Sequence, residues 1–239
     1  MILEIYHLTQ RYNDKIAVED LNLSVDAGKI YGFIGHNGAG KSTTIKSVVG
    51  ILPVKEGEIL VDGKSIAEHQ KACQAVTAYV PDNPDLYGYM TGIEYINFIC
   101  DIFRVELAKR RERTRYYADL FEITEQLGDL ISSYSHGMKQ KIALIAAFAH
   151  APRLLVLDEP FVGLDPKASA VLKCVMREHC AAGNAIFFST HVLEVAQMLC
   201  DEIGMLDHGH LLYSGPVTEL TQTGTLEDAF LQKLEEHHA

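Results

Sequence analysis

The chain has 239 residues but no tryptophan and only seven prolines, and its five cysteines (Cys73, Cys100, Cys174, Cys180, Cys200) form no C-x-x-C pair. An odd cysteine count without paired or zinc-type spacing argues against a disulfide-stapled secreted domain and against a cysteine zinc module. It fits a reduced compartment, with the cysteines filling core positions. Positive charge is also scarce: 21 Lys and Arg stand against 32 Asp and Glu, a net charge of −11. Binding nucleic acid without regard to sequence needs a basic surface, so that class is disfavoured. Acidic positions such as Glu56, Glu58 and Glu235-Glu236 read as solvated faces. No stretch reaches the roughly 18 uninterrupted apolar residues of a membrane span. The opening Met1-Ile2-Leu3-Glu4-Ile5-Tyr6 alternates like a strand and does not resemble a signal sequence. The expectation is a chain that cannot form a pore alone. Internal repeats and low-complexity tracts are missing too, while 48% apolar residues are enough for a sizeable core.

What is present begins with residues 35 to 42, Gly-His-Asn-Gly-Ala-Gly-Lys-Ser, a complete G-x-x-x-x-G-K-[ST] phosphate loop. It lies between the apolar run Ile30 to Ile34 and the helix-compatible Thr43 to Val49, the strand-loop-helix context the motif requires. Gly35, Gly38 and Gly40 let the backbone turn tightly, so that its N–H groups from His36, Asn37 and Ala39 through Thr43 face a polyphosphate at a helix N-terminus. Lys41 then neutralises the outer phosphates and Ser42 holds Mg²⁺. The motif implies a bound nucleoside triphosphate.

A second cluster, Leu154-Leu155-Val156-Leu157-Asp158-Glu159-Pro160, is a short apolar run ending in two carboxylates, the pattern of a fully buried parallel strand. At a strand tip beside the phosphate loop, Asp158 can reach the Mg²⁺ shell and Glu159 can polarise an attacking water. An apolar strand ending in acids is common by itself; paired with the loop it gains meaning.

Between the two lies Tyr134-Ser135-His136-Gly137-Met138-Lys139-Gln140-Lys141. Here the chain resembles the ATP-binding cassette (ABC) ATPases, whose Leu-Ser-Gly-Gly-Gln signature loop occupies this place, and the Ser-x-Gly-Met-Lys-Gln form is similar to exporter-type variants. The resemblance implies that Ser135 and Gly137 cap the γ-phosphate held by a second ABC ATPase subunit, so that two chains, identical or different, close head to tail on two ATP molecules. Read without the family, Ser135 is a good helix N-cap, and both readings stand at this point. Tyr12 stands where the family stacks an aromatic ring on adenine, or is an ordinary strand tyrosine. Gly163-Leu164-Asp165-Pro166 matches the D-loop of the dimer interface, and His191 the switch histidine that touches the γ-phosphate, which with Glu159 and Lys41 completes the catalytic set.

Some positions depart from the family. After the strand expected at Ala75 to Val80 the family has Gln, whereas this chain has Pro81-Asp82-Asn83. Asp82 can offer an oxygen to metal or water, yet it adds a negative charge where Gln is neutral; its expected part is to relay nucleotide state to the membrane partner. His136 and Met138 replace the commoner Gly and Gln of the signature, leaving Ser135 and Gly137 in place.

Alternation and turn signals over residues 1 to about 30 and 57 to 80 argue for antiparallel strands flanking the loop. Helical spacing marks Gly92 to Arg104, Glu106 to Phe121 and Lys139 to His150; from Arg153 strands and helices alternate, with a hairpin around His208-Gly209-His210. The fold expected is α/β: a P-loop ATPase core with an antiparallel β subdomain (1–82 and 151–239) and an inserted α-helical subdomain (83–150) carrying the signature loop. Thr225 to Leu231 resembles the tail helix of exporter-type cassettes, and His237 and His238 receive no function.

The resemblance, which spans essentially the whole chain, implies an ATPase subunit that uses ATP and Mg²⁺. It would sit at the cytoplasmic face of the cell membrane and power a permease on a separate chain, with export the expected direction. The other reading is a soluble ABC ATPase acting on nucleic acid or the ribosome, but such relatives carry coiled-coil or zinc insertions, paired cassettes or basic linkers that this acidic single cassette lacks. Cargo is not legible in these residues.

Overall fold

The computed structural model describes residues 1–12, 15–222 and 224–238. In chain order the strands are β1 (Leu3–Tyr12), β2 (Lys15–Val25), β3 (Ile30–Ile34), β4 (Glu56–Val61) and β5 (Lys64–Ser65), then β6 (Thr77–Val80), β7 (Leu154–Asp158), β8 (Ala185–Thr190), β9 (Glu202–Asp207) and β10 (His210–Pro216). They form two sheets. One is antiparallel, ordered β2-β1-β4-β5; the other runs β10-β9-β3-β8-β7-β6 and is parallel except for the β9–β10 hairpin at its edge.

Side-chain period explains why β7 and β8 read as unbroken apolar runs. Successive residues of a strand face opposite sides of the sheet. Leu154, Val156, Ala185 and Phe187 enter the core shared with the antiparallel sheet, where Leu3, Ile5, Val18 and Ile59 meet them. Leu155, Leu157, Ile186 and Phe188 enter a second core covered by helices. With both faces covered, polar residues are confined to the C-terminal tips, at Asp158, Ser189 and Thr190. β2 lies on the surface, and its inward residues Val18, Leu21, Leu23 and Val25 alternate with exposed ones apart from one irregular step.

The helices are α1 (Lys41–Val48), α2 (Gln70–Ala75), α3 (Gly92–Ile102), α4 (Leu107–Leu120), α5 (His136–His150), α6 (Pro166–Ala181), α7 (Leu193–Leu199), α8 (Val217–Leu220) and α9 (Leu226–His238). α3 and α4 pack on α5, which buries Ile142 to Ala149 almost completely. α3 starts in a full capping box: Thr91 accepts from the Glu94 N–H, and the Glu94 carboxylate accepts from the Thr91 N–H. No helix among the described residues is long and apolar enough to cross a membrane.

The α/β class agrees with the sequence, and residues 57–80 need correction. Only β4 and β5 join the antiparallel sheet there; residues 70–75 form α2, and β6, which begins at Thr77 and not Ala75, pairs parallel with β7. α2 buries a single side chain, Cys73. A helix so short and so exposed leaves no apolar period to read.

Candidate active site at the phosphate loop

Strand order assembles the site. β3 lies between β8 and β9, and β7 lies on the other side of β8. The phosphate loop after β3, the carboxylates ending β7 and the histidine after β8 therefore emerge together at the C-terminal edge of three neighbouring parallel strands, where open α/β sheets bind ligands. Register aligns them: Ile34 is opposite Thr190, and Asp158 is opposite Ser189.

The loop holds its shape through its glycines and its lysine. Gly38 and Gly40 have φ of 85° and 113°, and a Cβ on Gly40 would stand 2.5 Å from the Ala17 carbonyl oxygen. Lys41 is buried, and its Nζ donates to the carbonyls of Gly35 at 2.6 Å and His36 at 3.0 Å. Burial lowers the ammonium pKa, while the carboxylates of Glu159 and Asp158 act in the other direction and favour the charge.

Beside Lys41 is a cavity of about 410 Å³, lined from the loop side by Asn37, Gly38, Ser42 and Thr43. Asp82, Asp158 and Glu159 also line it, as do Lys15 to Ala17 and His208. Two lysines, Lys41 and Lys15, loop N–H groups at a helix N-terminus and enough volume for several phosphates suit a polyphosphate. The side chains of Ser42, Asp158 and Asp82 are hard oxygen donors, a set that suits Mg²⁺ and not a soft metal.

Two groups orient the carboxylates. The Ser189 hydroxyl donates to Asp158 Oδ1 and accepts from the Glu159 N–H at 3.1 Å. Glu159 sits in the left-handed region with φ 46°, a conformation a non-glycine residue seldom adopts. Its Oε1 accepts from His191 Nδ1 at 2.9 Å. The Glu159 side chain is 16% exposed and His191 49%, so the pair reaches from the strand tips to the surface. The sequence did not single out Ser189, which is buried behind Asp158 and looks like any strand-end serine until β7 and β8 are paired.

The structure does not bring every expected residue to the cavity. Ser135 caps α5, its Oγ accepting from the Met138 N–H at 3.3 Å, and neither it nor Gly137 lines the cavity of its own chain. Gly137 instead abuts the turn at Gly163: a Cβ on Gly137 would fall 2.7 Å from the Gly163 carbonyl oxygen. Asp165 caps α6 through the Ala168 N–H at 2.8 Å and pairs with Lys141 at 3.3 Å. Tyr12 ends β1 opposite Lys15, and its side chain lies outside the described residues.

Comparison with known proteins decides what this arrangement belongs to. The ABC transporter family model matches residues 18–162, a span that holds the phosphate loop, the Ser135 turn and both carboxylates. The chain belongs to the ABC transporter family. It is 31% identical over 233 residues to the ABC-type transporter ATP-binding protein EcsA of Bacillus subtilis strain 168, covering 98% of this chain and 94% of that one. The linearmycin resistance ATP-binding protein LnrL of the same organism is 31% identical over 219 residues, with 92% and 70% covered. A solved ATP-binding subunit of an ABC transporter superposes with a TM-score of 0.94 at 31% identity, covering 98% of this chain and 100% of that one. The fold alone is shared with cbiO1 of Clostridium perfringens, at a TM-score of 0.79 and 24% identity over 98% of this chain and 94% of that one. This ABC protein is an ATP-binding subunit of a transporter, and its reaction is ATP hydrolysis.

Proposed function

We propose that the chain powers export through a permease on a separate polypeptide, by ATP-driven head-to-tail closure of two cassettes at the cytoplasmic face of the membrane. Lys41 and the loop N–H groups hold the triphosphate, with Tyr12 against the adenine ring. Ser42 and Asp158 would hold Mg²⁺, which would shield phosphate charge when bound; Asp82 contributes through its carboxylate or relays the state of the site. Glu159 orients the lytic water and accepts its proton, and His191 fixes the carboxylate and senses the γ-phosphate. Ser135 and Gly137 act on the nucleotide of the partner cassette, a reading supported by their position outside the cavity of their own chain.

The observation that carries the catalytic part is the Glu159–His191 hydrogen bond at the tip of β7, beside the cavity that Lys41 lines. In this reading the carboxylate acts on water and not on the tripolyphosphate, so its loss removes rate and spares affinity. Glu159→Gln is expected to bind ATP as the wild type does and to lose about 10²- to 10⁴-fold in turnover. A variant turning over at the wild-type rate would remove Glu159 from the chemistry.

Coupling to the permease fits the tip of β6. Asp82 lines the ATP cavity, while its neighbour Pro81 lines a separate groove of about 830 Å³ with Tyr79, Tyr95, Ile99 and Phe103. In this reading residues 83–150 move as a helical subdomain against a core of 1–82 and 151–239, and the groove between them receives the permease. The export direction rests on the form of the Ser135 turn, on α9, and on similarity to a relative named for linearmycin resistance. A net charge of −11 supports a membrane transporter over a nucleic-acid motor.

A further inference from the structure

The phosphate loop touches a cluster of side chains to which the proposed ATP chemistry gives no role. His36, the second residue of the loop, lies with Nε2 2.8 Å from Oδ1 of Asp207 at the end of β9. His208 follows in the hairpin, its Nε2 3.8 Å from the same oxygen, and one ligand atom from each of the three residues lies within 4.8 Å of the others. The Asp207 side chain is 2% exposed, the two histidines 41% and 68%.

We propose that His36, Asp207 and His208 form a binding site for a tetrahedral transition-metal ion of the Zn²⁺ class, distinct from the Mg²⁺ donors Ser42 and Asp158. Zinc sits about 2.0–2.2 Å from imidazole nitrogen and carboxylate oxygen, which puts tetrahedral ligand atoms about 3.4 Å apart. The 2.8 and 3.8 Å separations from Asp207 Oδ1 bracket that value, and all three ligand atoms lie within 4.8 Å of one another. Tautomer chemistry favours a cation. His36 Nδ1 lies 2.7 Å from the Asn37 carbonyl oxygen, which only accepts, so Nδ1 carries the proton. Nε2 of a neutral ring then points a lone pair at a carboxylate, a repulsive contact unless a second proton or a metal lies between them. Donation of the other ring N–H to a backbone carbonyl is also the usual outer-shell arrangement of a metal-bound histidine. A divalent ion held by Asp207 Oδ1 and the two Nε2 atoms would relieve that contact without a second proton on the His36 ring.

Three protein ligands leave a fourth position for water or a substrate oxygen, as in open zinc sites. Since His208 also lines the nucleotide cavity, an ion here would fasten the phosphate loop to the β9–β10 hairpin at the rim of the ATP site.

The test is titration of full-length, tag-free protein with Co²⁺ without nucleotide, reading the visible absorption of tetrahedral Co²⁺, followed by displacement with Zn²⁺. One equivalent with intense visible bands is expected. His208→Gln, which alters an exposed side chain, should weaken Zn²⁺ binding by more than the roughly 10- to 100-fold lost with an outer-shell partner, and His36→Gln should do the same. Replacing His237 and His238 together with Gln should leave the bands unchanged. Absence of tetrahedral bands, bands that survive His208→Gln in folded protein, or bands lost only with the tail histidines would each overturn the assignment.

Discussion

Lys41 is the only lysine or arginine between Gly35 and Thr43, and it is buried among loop carbonyls. Charge-assisted contacts to phosphate are worth about 1.5–3 kcal/mol each. Lys41→Ala is therefore expected to weaken ATP binding about 10- to 100-fold or more, measured with a fluorescent nucleotide; unchanged affinity would contradict the role given to the loop. His179 makes a different prediction. It is buried on α6 with its ring edge toward Phe148, and burial, helped by His150, pushes its pKa down to about 4. The unfolded chain takes up a proton near pH 6.5 while the folded one resists until about pH 4, so the unfolded state holds more protons across that window. Stability from the neutral ring is complete above pH 6.5 and falls by roughly 3 kcal/mol as pH drops toward 4. Thermal unfolding from pH 7 to 4 should show a shallower loss of Tm in His179→Leu than in the wild type, and parallel curves would exclude His179 as a source of acid sensitivity.

At the scale of elements, Ser135 has two jobs in one hydroxyl: capping α5 and, in the proposed dimer, meeting the partner's nucleotide. Aspartate is as good a cap as serine but puts a negative charge where phosphate would approach. Ser135→Asp should keep the unfolding free energy within about 0.5 kcal/mol of the wild type and abolish ATP-dependent association and most turnover. A variant that stays stable and still turns over normally would leave Ser135 as a cap alone. The same scale shows what could be read in advance. β7, β8 and the loop between β3 and α1 were legible because burial on both faces and the glycine-lysine pattern leave local marks in the sequence. α2 left none, having one buried residue. Asp207 and His208 carry no local mark of their nearness to the loop, because it depends on β9 pairing with β3; His36 and Asp207 are 171 positions apart. No local period encodes that pairing. Ser189 was hidden similarly, its role set by the register of β8 on β7.

For the whole molecule, the central claim is that one chain holds half of each of two sites. Within the chain, Gly137 abuts the Gly163 turn, and neither it nor Ser135 lines the cavity beside Lys41, which supports the proposed pair of cassettes. ATP should bind the closed pair more tightly than the open chains and shift the population toward it, and blocking hydrolysis should trap it. The direct measurement is size-exclusion chromatography with light scattering on Glu159→Gln, supplied with its membrane partner where closure requires it. A dimer of cassettes in Mg-ATP and a monomer in ADP is the predicted result. Saturation with ATP in a protein that remains monomeric, even with the membrane partner present, would contradict the account.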